Sequence, residues 1–204
     1  MKKGIIAGLG CGALVIIVII ILGAFALIFG YNFNNTAVEY EADAKTAWSK
    51  VESSYQRRAD LIPNLVSTVK GYAAHEKETL EGVIKARSEA TKTTINAGDL
   101  TPEKIAQFQQ AQQGLSGALS KLLLTVERYP ELKADKSFLE LQSQLEGTEN
   151  RINVTRDRYN DAVNIYDIYI KKFPGKLFAS ILGFEEMARF KSAPGSENAP
   201  KVEF

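Results

Sequence analysis

His75 is the only histidine of the chain and stands in Ala-Ala-His-Glu-Lys-Glu78, beside carboxylates that acid–base or metal chemistry would use. The spacing completes neither. A carboxylate-bridged di-iron bundle needs paired Glu-x-x-His motifs, and the residue three before His75 is Tyr72. A His-Glu-x-x-His zinc helix fails at Thr79. Any Ser-His-Asp triad would have to draw on His75, and no Gly-x-Ser-x-Gly elbow occurs. The lone Cys11 excludes an intrachain disulfide and a four-thiolate metal site. The chain therefore reads as non-enzymatic, with no catalytic, cofactor or metal residues expected and no small-molecule substrate evident. His75 is expected on a helix surface or interface, with a pH-sensitive contact as the alternative.

The second constellation is Gln56-Arg57-Arg58-Ala-Asp60-Leu-Ile-Pro63. Two arginines beside a proline with fixed φ allow two readings. In the structural one, a first helix yields to a second between Asp60 and Pro63, and Asp60 caps that corner or accepts from an arginine. In the functional one, Arg57 and Arg58 dock a phosphate, a lipid headgroup or an acidic segment of a partner. Two arginines are a small electrostatic target, which favours structure. The 25 basic and 24 acidic residues nearly cancel, so no basic face for nucleic acid is expected.

Positioning these groups requires an anchor and a set of helices. No charge occurs from Gly4 to Gly30, and a helix of that length extends about 40 Å against roughly 30 Å of bilayer hydrocarbon. It is read as an uncleaved transmembrane signal-anchor over residues 1–30. Cleavage after Ala24-Phe25-Ala26 is the alternative, opposed by the apolar run continuing through Leu27-Ile28-Phe29. Lipidation of Cys11 is disfavoured because the long apolar stretch follows it instead of preceding it. Lys2 and Lys3 flank one end, whereas Glu39, Glu41 and Asp43 precede the first cation beyond the other, Lys45. The positive-inside rule then places the N-terminus in the cytoplasm. Gly8, Gly10 and Gly12 would permit close helix packing, a weak hint of self-association.

From Phe138 to Tyr169 apolar and small residues recur in strict steps of three and four, through Leu141, Leu145, Thr148, Ile152, Thr155, Tyr159, Ala162 and Tyr166. This is a helical seam; Asp135 suits its N-cap and Pro174-Gly175 its stop. Its polar members leave room for a second reading, in which it receives a helix of another chain. Thr101-Pro102-Glu103 opens an earlier helix carrying Ile105, Phe108, Leu115, Leu119, Leu122 and Val126. Another helix runs from Pro63 to Ala90, and one marked by Val38, Ala44, Trp48, Val51 and Tyr55 is expected to continue from the span. The expectation is an all-α protein: a transmembrane helix, then an antiparallel four-helix bundle of long helices over residues 31–182. A short helix at Leu177–Leu182 would cover one end, and residues 183–204, with Pro194-Gly195 and Pro200, are expected as a flexible tail.

The run Gln56 to Val66, followed by Val69-Lys70-Gly-Tyr72-Ala-Ala-His75-Glu76, resembles the LemA family of bacterial proteins. Ala47-Trp48, Phe173-Pro174, Gly183-Phe184 and the terminal Ala199-Pro-Lys-Val-Glu-Phe204 extend the resemblance over nearly the whole chain. It implies a four-helix soluble domain attached to a bacterial envelope membrane, and it brings no enzymatic activity. Its motif residues, Arg57, Arg58, Asp60, Pro63, Asn64, Lys70, Tyr72, His75 and Glu76, become the candidate interaction residues. The expected role is an inner-membrane scaffold with its soluble domain periplasmic or extracellular. Its partners would be the bilayer and copies of itself or another envelope protein. The alternative is an envelope sensing module recognising an anionic or peptide partner through Arg57 and Arg58 or the C-terminal tail.

Overall fold

The computed structural model describes residues 2–191, with side chains from Leu14 onward. The Cys11 side chain and the stretch ending at Phe204 lie outside the described residues. Every regular element described is helical: α1 (Lys2–Tyr72), α2 (Lys77–Lys92), α3 (Pro102–Val126), α4 (Pro130–Lys133), α5 (Lys136–Lys171) and α6 (Gly175–Leu182). Their starts follow local chemistry. The Thr101 side chain accepts from the Lys104 backbone N–H with Pro102 in the first turn of α3, and Asp135 accepts from the Phe138 backbone N–H at 2.9 Å to cap α5.

No corner forms at Asp60–Pro63. The α1 helix continues through Pro63 to Tyr72, and the turn into α2 lies instead at Ala73–Glu76. Proline inside a helix deprives the carbonyl four residues earlier of its N–H donor, here that of Ala59. Arg87 of α2 replaces that donor, its Nε–H reaching the Ala59 oxygen at 2.7 Å. With the orphaned carbonyl satisfied, and with Ile62 and Leu65 fully buried on either side of Pro63, helix continuation is favoured over a break.

The chain divides into two compact units. Unit 1 comprises Met1–Ala42 and Tyr166–Glu186, and unit 2 comprises Asp43–Ile165 and Met187–Phe204. In unit 1, α1 carries a segment beginning at Leu14 that is long and apolar enough to cross a membrane and has no buried residues. Beyond it the packing is aromatic. Phe33 stacks on Tyr169 at 5.1 Å and meets Phe184 edge-on at 6.1 Å, while Phe178 tilts onto Phe29 at 5.0 Å. Glycine permits this approach: a Cβ on Gly175 would lie 2.7 Å from the Phe33 ring, and one on Gly30 would lie 3.0 Å from Phe178. Gly183, at φ +78°, ends α6 in the left-handed conformation.

Among its described residues unit 2 has two apolar clusters. One gathers Ile62, Leu65, Val69, Val83, Leu115, Leu122, Leu132 and Phe138 from α1 to α5. The other is built around Trp48, which meets Phe108, Tyr159 and Phe190 at ring separations of 5.3 to 5.6 Å. Within unit 2 the α5 seam faces this interior, Thr148, Ile152, Thr155 and Tyr159 all being buried by the chain itself. The reading in which another chain fills the seam is thereby corrected for that stretch.

The expectation of a flexible tail from residue 183 is also corrected for Met187–Lys191. These residues form a strap without regular secondary structure, with Ala188 and Phe190 buried. The Tyr159 hydroxyl donates to the Ala188 carbonyl at 2.6 Å. Asn160 both donates to the Phe190 carbonyl and accepts its backbone N–H, and Gln109 donates to the Lys191 carbonyl. Two-sided amide pairing and a buried aromatic ring outweigh the entropy that composition alone would assign to the segment.

Candidate functional site

The recognition motif falls on unit 2, and the structure separates its residues into three settings. Arg58 is buried, at 3% exposure. Its Nη1 donates to Ser116 Oγ and to Glu149 Oε2, each at 2.9 Å, and its Nη2 donates to Gln112 Oε1 at 2.8 Å. Gln112 in turn donates to the Ala90 carbonyl, so one guanidinium links α1 to α3 and α5, and through Gln112 to α2. Its face lies 5.1 Å from the Tyr55 ring centre. A guanidinium whose two terminal nitrogens are spent on internal acceptors, and whose Nε is buried without a partner, is an internal fastener out of reach of an external anion, which corrects its pairing with Arg57 as a docking site.

Tyr72 and Glu76 form a second setting with Asp135. The Glu76 carboxylate accepts from Arg128 Nη2 at 3.0 Å and from the Tyr129 hydroxyl at 2.9 Å. The Tyr72 hydroxyl donates to Asp135 at 3.0 Å. The α1–α2 turn is thus tied to the α3–α4–α5 connection. Bonding to the carboxylates raises both phenols above their ordinary value, while the Phe138 N–H, then the Tyr72 hydroxyl, hold Asp135 below its own. His75, Asn64, Lys70 and Pro63 are exposed along α1 and the turn after it. Among the described residues no cluster of histidine, cysteine and carboxylate is close enough to hold a metal ion.

The third setting is an open cleft of about 600 Å³ lined by Glu52, Gln56, Arg57, Asp60, Thr91 and Thr94, with Tyr55 and Phe108 at its apolar side. Arg57 and Asp60 are exposed there, and Gln56 donates to Asp60 at 2.7 Å. Burial raises the Glu52 carboxyl above its ordinary value, opposed by the Trp48 indole N–H. Burial likewise raises the Tyr55 phenol, offset by Arg156 and Arg58. Two carboxylates and one guanidinium suit a neutral or mixed polar segment better than a bare anion. Sequence reasoning missed Glu52, Arg87, Gln112 and Glu149. Only Arg87 left a signal, as a cation able to donate to the carbonyl that a helical proline leaves without an N–H.

An apolar span joined to all-helical units whose strongest motif is spent on holding helices together defines a membrane-associated helical protein. The chain belongs to the LemA family, whose sequence profile matches residues 47–204. It is 28% identical over 208 aligned residues to magnetosome protein MamQ 1 of Paramagnetospirillum magneticum, covering 91% of this chain and 74% of that one. Magnetosome protein MamQ of Magnetospirillum gryphiswaldense is 27% identical, with 86% and 71% covered. Protein LemA of Metamycoplasma hominis is 23% identical, with 95% and 84% covered.

Proposed function

We propose that this protein is a non-enzymatic scaffold of the bacterial envelope, assembling with copies of itself or with other envelope proteins. It is anchored in the inner membrane, with α1, α2, α3 and α5 wound as an antiparallel four-helix bundle. The observation that carries the reading is the internal use of the motif, with Arg58, Tyr72 and Glu76 each engaged in tying helices together. Helices tied together in this way also expose Leu124, Leu139, Ile84 and Val154, apolar side chains that an assembly could cover. The relatives named as magnetosome proteins agree with service at a membrane. The flanking Lys2 and Lys3, against Glu39, Glu41 and Asp43, support a cytoplasmic N-terminus and a periplasmic or extracellular soluble part. The test is extraction in mild detergent followed by light scattering. A complex larger than one chain, lost when Leu124 and Leu139 are changed to Ser, is expected; a strictly monomeric protein with no companion removes the reading.

The cleft favours a second reading, a binding module for a polar peptide segment, in which Arg57 and not Arg58 makes the contact. In it Arg57→Gln weakens peptide binding at unchanged melting temperature. Equal loss of stability would return Arg57 to a structural role.

A further inference from the structure

The α6 helix of unit 1 has two faces of opposite character. Gly175 and Ala179 are buried on the inner one, and Phe178 turns toward the span, against Phe29 and Phe33. On the outer one Leu177 is 57% and Ile181 79% exposed, one turn apart, and Phe173 just before the helix is 84% exposed. In water such side chains would gain nothing from their exposure. Phe178, lying between the two faces, packs on Phe29 next to exposed Phe25 and Ile28, so α6 sits alongside the exposed apolar side chains of α1. Cations border it: Lys172 and Lys176 are exposed at the start of α6, and Lys171 pairs with Glu186 at 2.7 Å.

We propose that α6 is an interfacial helix. Its Phe173, Leu177 and Ile181 face is seated at the boundary of headgroups and acyl chains in the phospholipid bilayer that α1 crosses, with Lys172 and Lys176 reaching the phosphates. A short amphipathic helix with an apolar face and bordering lysines has the composition such a position requires. Continuity with the span favours lipid over a second copy of the chain, because a copy seated there would have to share that face with the acyl chains around Phe25 and Ile28. The proposal rests on the membrane reading of α1.

The test uses the full chain carrying Cys11→Ser and one new cysteine, labelled with an environment-sensitive fluorophore and reconstituted in phosphatidylethanolamine–phosphatidylglycerol vesicles. Labels at Ile181→Cys and, separately, Leu177→Cys are expected to be blue-shifted. Phospholipids brominated near the headgroup should quench most of their emission, and aqueous iodide little of it. A label at Lys50→Cys should show the reverse. Ile20→Cys reports the span itself: loss of quenching there by deeply brominated lipid would overturn the membrane reading, independently of α6. With Ile20 quenched, iodide access at both α6 sites as full as at Lys50 overturns the proposal. So does shielding from both quenchers, which would mean that protein covers the face.

Discussion

Unit 1 and unit 2 are both built from α1 and α5, yet they handle large apolar side chains in opposite ways. Unit 1 leaves Leu14 to Leu22, Phe25, Leu27 and Ile28 exposed and holds α6 by ring contacts over glycines. Unit 2 buries Trp48, Tyr159, Ile62 and Leu65 completely and knits its helices with Arg58, Arg87, Glu76 and Asp135. Hydrocarbon already solvates the apolar surface of a span, so glycine-mediated close packing holds a helix against it better than burial does. In water the driving force is burial itself, and polar links then choose which helices meet. One continuous helix thus follows two rules, according to the solvent around each part of it.

The largest break in this comparison is Trp48→Ala. Removing a fully buried indole that meets three other rings should cost unit 2 about 3–5 kcal/mol, read as a lower denaturation midpoint with the slope unchanged. Membrane association, which belongs to unit 1, should persist. Arg58→Met comes next, at about 2 kcal/mol, because Gln112 loses its ionic donor while Glu149, half exposed, recovers water. A cost near zero would mean that the guanidinium adds specificity without stability.

Gly175→Ala carries the break to unit 1. The added methyl meets the Phe33 ring at 2.7 Å and the Tyr169 carbonyl at 3.1 Å, an overpacking cost of about 1–3 kcal/mol. Faster amide exchange across α6, with the amides around Trp48 unaffected, is the expected signature. Equal loosening around Trp48 would show that the two units do not respond separately.

Much of this organisation is legible in residue order, and what escapes it is tertiary. The α5 seam, the Thr101 and Asp135 caps and the apolar span follow from periodicity and capping chemistry that act within a few residues. Pro63 misleads because its local meaning, a helix start, is reversed by Arg87, which donates to the Ala59 carbonyl from 28 residues further along the chain. The strap misleads for the same reason: Asn160 and Tyr159 set the conformation of Ala188 and Phe190, whose own neighbourhood reads as coil. Arg57 and Arg58 are adjacent and chemically identical, but a helix places successive residues about 100° apart, so one is buried and the other faces the cleft.

Arg87 permits a sharper experiment. Arg87→Met leaves the Ala59 carbonyl without its side-chain donor and should cost about 1 kcal/mol or slightly more, the group being only half buried. In a Pro63→Ala background residue 63 regains an N–H, so the same Arg87→Met change should cost much less. A double-mutant cycle in urea measures the difference, and equal costs in both backgrounds would refute the replacement of a backbone donor by Arg87.

The smallest effect is electrostatic and lies at the Tyr72–Asp135 tie. Asp135 is held below its ordinary value, so the folded chain binds fewer protons there than the unfolded chain does. Its contribution is complete above the unfolded value and disappears as pH falls through the lower, folded one. Melting temperatures between about pH 5 and pH 2 should therefore fall less steeply for Asp135→Asn than for the parent protein. Tyr72→Phe should show part of the same flattening, because the Phe138 N–H is the stronger of the two influences on the carboxylate. Identical acid limbs in all three proteins would assign the cap a steric role and remove charge from the account of this end of unit 2.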